Sequence, residues 1–321
     1  MTVSASTNAF QRPDLGMAFE GLDLDREAMR FKALEIFPVL RSMVANASFS
    51  VHPPEELQVD SETLRNPDGS YQRSNSEVDQ LSFLCVEHGH EERVDDANKA
   101  IFAYSFDAEM IAAKRVRNKI LRKLERDLAA KLFNATTWTG AALTTAVSTK
   151  WTVSATATPI KDVLAAIQKV RASCGDEPNA LILSYDTFLN LQSVAQIKNQ
   201  VVYNGADDPK KVTEQQLAAL FHVDKVIVCR ATQNTVNKAQ GYTGGSIWRS
   251  DYAMVAKLAT SMDLSEACVG RTFHHILDGA GDVIVETYRD ETRRSDIVRA
   301  RINYDQRVIQ VASGHLLTNL S

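Results

Sequence analysis

The sequence is short of several things, and each shortage excludes a class. No apolar run approaches the roughly 18 residues of a membrane-spanning helix, and the polar segment Met1 to Gln11 has no signal-like apolar centre. Cysteine occurs four times, at Cys85, Cys174, Cys229 and Cys268, never as CxxC. That spacing argues against a disulfide framework or a structural zinc site and fits a reducing compartment. Glycine (14) and proline (8) are too few for a collagenous or low-complexity chain. Positive charge is not in excess: 36 Lys and Arg stand against 40 Asp and Glu, a net of -4. A surface that is basic everywhere is excluded, though one basic face is not. Lysine is absent between Lys32 and Lys99. These shortages describe a soluble intracellular chain, and its 321 residues suffice for two domains.

What is present is unevenly distributed. Residues 1–24 are rich in Ser, Thr and Asn and read as an extended arm. Asp25 can cap a short helix to about Ile36, ended before Pro38; the Asp23/Asp25 pair reads as capping, not as metal ligands. From residue 46 to residue 98 apolar residues are few, and Asn66-Pro67-Asp68-Gly69 is a turn signal, so this stretch reads as a long hairpin. Between Glu55 and Asp96 lie twelve acidic residues and three arginines, a net of -9. A lone two-stranded hairpin is marginal in water, so this one calls for support from another chain.

A long amphipathic helix is expected from Asp107 to Phe133. Met110, Ala113, Val116, Ile120, Leu124, Leu128 and Leu132 recur every three or four residues, and the other faces net +4. Residues 134–158 read as loop and strand edges between domains. Pro159 opens a helix that Gly175 can close. A buried strand at Ala180–Leu183 follows, then a helix at Asp186–Ile197. Thr213 and Gln216 form a capping box for a helix to Phe221, and Lys225–Cys229 is a buried strand. The C-terminal part alternates as strands, with a turn at Asp305-Gln306.

Chemistry-bearing patterns are weak. His88-Gly89-His90, beside Glu87 and Glu91, has the i, i+2 geometry of strand ligands but no further ligand pair, and reads as polar loop. Cys268, His274 and His275 match no zinc spacing; packing for the thiol and a loop role for the histidines fit better. Gly241-Tyr242-Thr243-Gly244-Gly245 lacks the phosphate-binding signatures and reads as a hairpin turn. Asp282, Glu286, Asp290, Glu291 and Asp296 interleave with Arg289, Arg293, Arg294 and Arg299, which suggests surface or interface ion pairs. No nucleophile–base signature occurs, so no catalytic residue, metal or cofactor is expected. An arm, an unsupported hairpin and a basic helix on a mixed body describe a chain built to assemble with its own copies.

The ordered set of segments resembles the major capsid proteins of tailed bacteriophages, with the Hong Kong 97-like fold. The likeness runs through DAEMIAAKRVRNKILRKLERDLAAKLFN, NALILSYDTFLNLQ (Asn179 to Gln192), VDKVIVCRATQNT (Val223 to Thr235), GSIWRSDYAMVAKLA (Gly245 to Ala259) and DVIVETYRDETRRSDIVRARINYDQRVIQV (Asp282 to Val311). It implies an α+β fold with an N-terminal arm (1–45) and an extended β-hairpin loop (46–98, tip near 66–69). A peripheral domain would hold the spine helix (99–155 and 262–305, helix 107–133), and an axial domain the rest (156–261 and 306–321). The implied function is a structural, non-enzymatic shell protein that assembles as hexamers and pentamers around double-stranded DNA. Its place would be the virion capsid, assembled in the host cytoplasm. Implied partners are a portal, a separate scaffolding protein, packaged DNA through non-specific contact, and a decoration protein, with no membrane. The loop lacks the lysine that some relatives use for crosslinking.

Charge arithmetic then nominates contacts. Glu55, Glu56, Asp60, Glu62 and Asp68 are acidic inter-subunit candidates, with Arg289, Arg293, Arg294 and Arg299 as basic ones. Lys114, Arg115, Arg122 and Lys123 are interior or DNA-facing candidates. Two other readings stand: an encapsulin-like compartment, and an α/β enzyme of unknown type.

Overall fold

The computed structural model describes residues 10–11, 30–53, 60, 63–65, 69–71, 73, 77–97, 99, 107–203, 212–236, 239, 241, 243–264, 266–276 and 283–321. In the N-terminal third, strand β1 (Phe10–Gln11) precedes a short helix α1 (Ala33–Ile36), which stops two residues before Pro38. Asp23 and Asp25, with the expected start of this helix, lie outside the described residues. Strands β2 (Val39–Ser42), β3 (Asn46–Val51), β4 (Asp79–Leu84) and β5 (Val86–Asp95) follow. Helix α2 (Ala108–Leu132) starts where Asp107 accepts hydrogen bonds from the amides of Glu109 (2.9 Å) and Met110 (3.3 Å), satisfying donors that a helix start leaves unpaired. Ala113, Val116, Ile120, Leu124, Leu128 and Leu132 are buried along one stripe, while Met110 at the helix start is half-buried.

The body alternates. Strand β6 (Thr144–Ala146), helix α3 (Pro159–Cys174), strand β7 (Ala180–Ser184) and helices α4 (Tyr185–Ser193), α5 (Ala195–Tyr203) and α6 (Glu214–Phe221) lead to strand β8 (Lys225–Cys229). Gly175 takes the left-handed conformation (φ 75°) that closes α3, and the Thr213/Gln216 capping box forms. Strands β9 (Thr232–Asn234) and β10 (Gly244–Ser246) make the hairpin around the glycine-rich segment. Strands β11 (Ala253–Ala256), β12 (Gly270–His275), β13 (Ile284–Asp290), β14 (Ser295–Val308) and β15 (Gly314–Thr318) complete the chain.

Two sheets organise these strands. One runs β6-β15-β11-β7-β8, with β7 buried throughout and parallel to β8 across the α4–α6 crossover. The other runs β1-β13-β14-β12-β2, with β5 also on β14. Residues 295–301 of β14 pair with both β13 and β5, so these lie on its opposite edges, and residues 304–308 pair with β12. The stripe of α2 joins both sheets in one core that includes Trp138, Ile182, Met254, Val298 and Ala300. A second core under α3–α6 holds Trp151, Val163, Leu181, Leu191 and Phe221.

Several expectations change. The excursion expected over 46–98 ends at Leu84: β3 and β4 form its stem, while β5 pairs with β14 through ten residues, from Val86–Tyr304 to Asp95–Ser295. Hydrophobicity does not reveal β5, because it is an acidic strand bound through its backbone and its charges. His88 and His90 are therefore strand residues, and so are His274 and His275. The helix expected over 186–197 breaks at Val194, which turns extended (φ -67°, ψ 128°) and starts a second helix. Residues 134–158 are more than a linker, since β6 joins the first sheet and Trp138 and Trp151 are wholly buried. Asp305 and Gln306 continue β14 instead of turning.

Candidate assembly surfaces

Strand β5 lies along α2 with its alternate residues matched to successive helical turns. Glu92 meets Arg115 (3.1 Å) and Lys119 (3.5 Å), His90 meets Lys119 (3.0 Å), and His88 stacks on Tyr304 of β14 at 4.5 Å. Two strand residues and four helix residues span about 6–7 Å each, so the registers agree. Burial, then Lys123 for His88 and Lys119 for His90, holds both imidazoles below the ordinary value.

The arginines of β13 and β14 are also engaged within the chain. Arg289 grips Asp96 with both terminal nitrogens (2.6 Å each) and reaches Asp296 (3.1 Å), which Lys99 also contacts at 3.1 Å. Arg299 and Arg301 converge on Glu286, with Arg299 Nε and Arg301 Nη2 each at 2.9 Å, and Glu91 lies 3.6 Å from Arg299. Burial raises the Glu286 carboxyl, but the two guanidinium groups outweigh it and hold it low. So two of the four arginines nominated as partners for a neighbour, Arg289 and Arg299, are taken up by acids of their own chain. Arg293 and Arg294 stay exposed on the turn between β13 and β14, with Arg293 4.0 Å from Asp290 and Arg294 in the left-handed region (φ 44°).

Of the acidic candidates, Glu55, Glu56, Glu62 and Asp68 lie outside the described residues, and Asp60 is exposed. Of the helix candidates, Arg115 is exposed and bound to Glu92, and Lys123 pairs with Asp127 one turn on. Lys114 and Arg122 are half-buried, the latter 5.9 Å from the Phe31 ring centre. The stem β3–β4 carries an apolar face: Phe83 stacks on Phe273 at 4.3 Å and Phe49 lies 5.2 Å from it. Beyond the stem, Leu64 and Tyr71 are 78% and 70% exposed. Among the described residues no three His, Cys, Asp or Glu converge as a metal site, and no helix is long and apolar enough to cross a membrane. All four cysteines are buried and free.

One residue escaped sequence reasoning. Glu125 sits wholly buried on the apolar side of α2 and accepts the Lys32 and Ala33 amides (2.8 and 2.7 Å) and Trp248 Nε1 (2.6 Å). It ties the start of α1 and the segment before β11 to the long helix. The signal was a lone Glu adjoining the stripe residue Leu124, indistinguishable in sequence from a surface charge.

This architecture, a long helix clasped by a sheet with a projecting stem beside an α/β body, is the Hong Kong 97-like fold of shell proteins. Among solved structures, a phage-related protein from Bordetella bronchiseptica RB50 is similar at 20% identity and TM-score 0.71, covering 97% of this chain and 98% of its own. The capsid of cyanophage P-SCSP1u is similar at 10% identity and TM-score 0.58, covering 88% and 86%. The SrpI encapsulin of Synechococcus elongatus PCC 7942 shares the fold at 8% identity and TM-score 0.52, covering 99% and 93%. No curated protein matches the sequence. The family profile of phage capsid proteins matches residues 91–308, more than half of the chain, which therefore belongs to the phage capsid protein family. It is a major capsid protein that self-assembles into the shell of a phage particle.

Proposed function

We propose that the shell is the icosahedral head of a tailed phage, enclosing double-stranded DNA, built from hexamers and pentamers of this chain in the host cytoplasm. The carrying observation is the stem β3–β4. Among the described residues it pairs with no strand of either sheet, yet leads toward Leu64 and Tyr71, which are exposed. Such an excursion gains its stability when a neighbouring copy covers it. In this reading the β6-β15-β11-β7-β8 sheet with helices α3–α6 forms the axial part around each capsomer centre, and the β14 sheet with α2 forms the peripheral part. Arg293 and Arg294 are the basic contacts, since Arg289 and Arg299 are satisfied within the chain; Asp60 belongs to the acidic ones. Arg115 on α2, exposed although it also meets Glu92, is a DNA-facing position. The role is structural rather than enzymatic. A portal, a separate scaffolding protein and a decoration protein complete the assembly.

Electron microscopy of the purified chain tests this. Uniform closed shells carrying nucleic acid are expected. A small discrete oligomer under all conditions overturns the reading, and shells holding a protein cargo instead assign the encapsulin-like alternative. The double change Arg293→Glu and Arg294→Glu should leave the circular dichroism spectrum unchanged and abolish shells.

A further inference from the structure

Among the described residues the stem has no backbone ladder to either sheet, and β3 and β4 pair with each other. Among the described residues its polar ties to the body include the Leu84 amide to Asp305 (3.0 Å) and the Cys85 thiol to the Phe273 carbonyl (3.5 Å). Its direction is therefore set by the apolar bed under it. Part of that bed is strand residue Phe273. The rest comes from Leu40, Ile309 and one loop, residues 259–264 and 266–268: Leu264 packs against the cluster of Phe83, Cys85 and Phe273, and Phe49, Val51 and Leu81 pack against the cluster of Ala259, Cys268 and Ile309.

A surface loop is ordinarily the most mobile part of a fold, yet this one is braced from two sides. Glu266 accepts from the Thr260 amide (2.9 Å) and hydroxyl (2.6 Å) and from the Ser261 amide and hydroxyl (2.8 Å each). Arg271 of β12, 1% exposed, donates from Nη1 to the Ser261 carbonyl (2.8 Å) and from Nη2 to the Asp263 carbonyl, and lies 3.4 Å from Glu266. Burying a guanidinium is costly unless its donors are met; here Nη1 and Nη2 are spent on backbone carbonyls of this loop, while the buried Nε has no hydrogen-bond partner among the described residues. Partial burial raises the Glu266 carboxyl, but the hydrogen bonds from Thr260 and Ser261 outweigh it and hold it at about 2, so the clasp stays charged across the physiological range.

We propose that Glu266 and Arg271 are positioning residues that lock loop residues 259–264 and 266–268 as a rigid bracket and so fix the angle at which the hairpin leaves the body. In a shell that angle decides where the hairpin meets the next copy, and hence the curvature of the assembly. The curvature consequence rests on the shell reading; the bracket itself does not.

Two measurements separate them. Ser50, exposed on β3, and Ala130, exposed on α2, are changed to Cys and spin-labelled; the four native thiols are buried and stay unlabelled. Electron–electron distance measurement on the full-length, unassembled chain should give one narrow peak. In Glu266→Gln, and in the double variant Thr260→Val and Ser261→Ala, the peak should broaden or shift while circular dichroism and the melting temperature of the body stay near the parent values. A narrow, unshifted peak in both variants overturns the bracket. In electron micrographs the same variants should give particles of mixed diameter where the parent gives one. Uniform particles of parental diameter from variants with a broadened peak overturn the link to curvature. If the parent forms no shells, the shell reading falls and the distance measurement still judges the bracket.

Discussion

Glu125 shows how one side chain changes meaning with its surroundings. Burial pushes its carboxyl up, against the hydrogen bonds from Trp248, Ala33 and Lys32, to about 7 from an ordinary 4.5. Between those values the folded chain holds a proton that the unfolded chain has released. Stability contributed by this group therefore rises on acidification from 7 toward 4.5 and falls as pH climbs back. Urea midpoints measured across that window should show the slope, and Glu125→Gln should flatten it. Glu125→Ala should strand three N–H donors and cost on the order of 3 kcal/mol. At Arg294 the left-handed backbone disfavours any residue with a Cβ, by roughly 1 kcal/mol. Arg294→Gly should therefore leave thermal stability unchanged or slightly higher while weakening shell formation, which separates the contact role of the side chain from folding.

Helix α2 and strand β14 carry the frame. The cap and stripe of α2 follow from local rules, so they are legible without the structure. Asp107→Ala should cost about 1 kcal/mol and Leu128→Ala about 2–5 kcal/mol, both read from denaturant midpoints. Strand β5 was not legible. Its side chains are acidic and half-exposed, and what makes it a strand is a ladder to residues about two hundred positions away. Glu286 is matched closer by, to arginines 13 and 15 residues on along the neighbouring strand. Held low by Arg299 and Arg301, it contributes stability above its unfolded value that is lost as pH falls through its lowered folded value. Glu286→Ala removes the carboxylate that Arg301 and Arg299 share, leaving Arg299 the longer contact to Glu91, and should cost about 2 kcal/mol, with the loss vanishing in strong acid.

At the scale of the whole molecule, the charge of -9 from Glu55 to Asp96 and +4 on the long helix is partly internal. The acids of β5 and Asp96 neutralise Arg115, Lys119, Arg289 and Arg299 of their own chain. The charge left for neighbours is accordingly smaller, and it includes Arg293 and Arg294. Exposed pairs are worth about 0–1 kcal/mol each, so many weak contacts must add up across a shell. Raising salt from about 0.1 M to about 1 M shortens the screening length from about 10 Å to about 3 Å. The yield of shells, counted by light scattering and microscopy, should fall over that range; a constant yield would mean that apolar contacts alone drive assembly.

The sequence by itself determined the elements whose signals are local: the capped helix expected over 107–133, the helix from Pro159 closed by Gly175, the buried strands expected at 180–183 and 225–229, and the ordered segments that mark a capsid protein. Periodicity, capping and turn chemistry act over a few residues, and such patterns survive being read in one dimension. Tertiary structure alone decided which charges are already matched, where the hairpin ends, and that Glu125 is buried. It also decided which loop beds the stem. Those outcomes depend on partners far along the chain, and a carboxylate in water and one in a core look the same in the sequence.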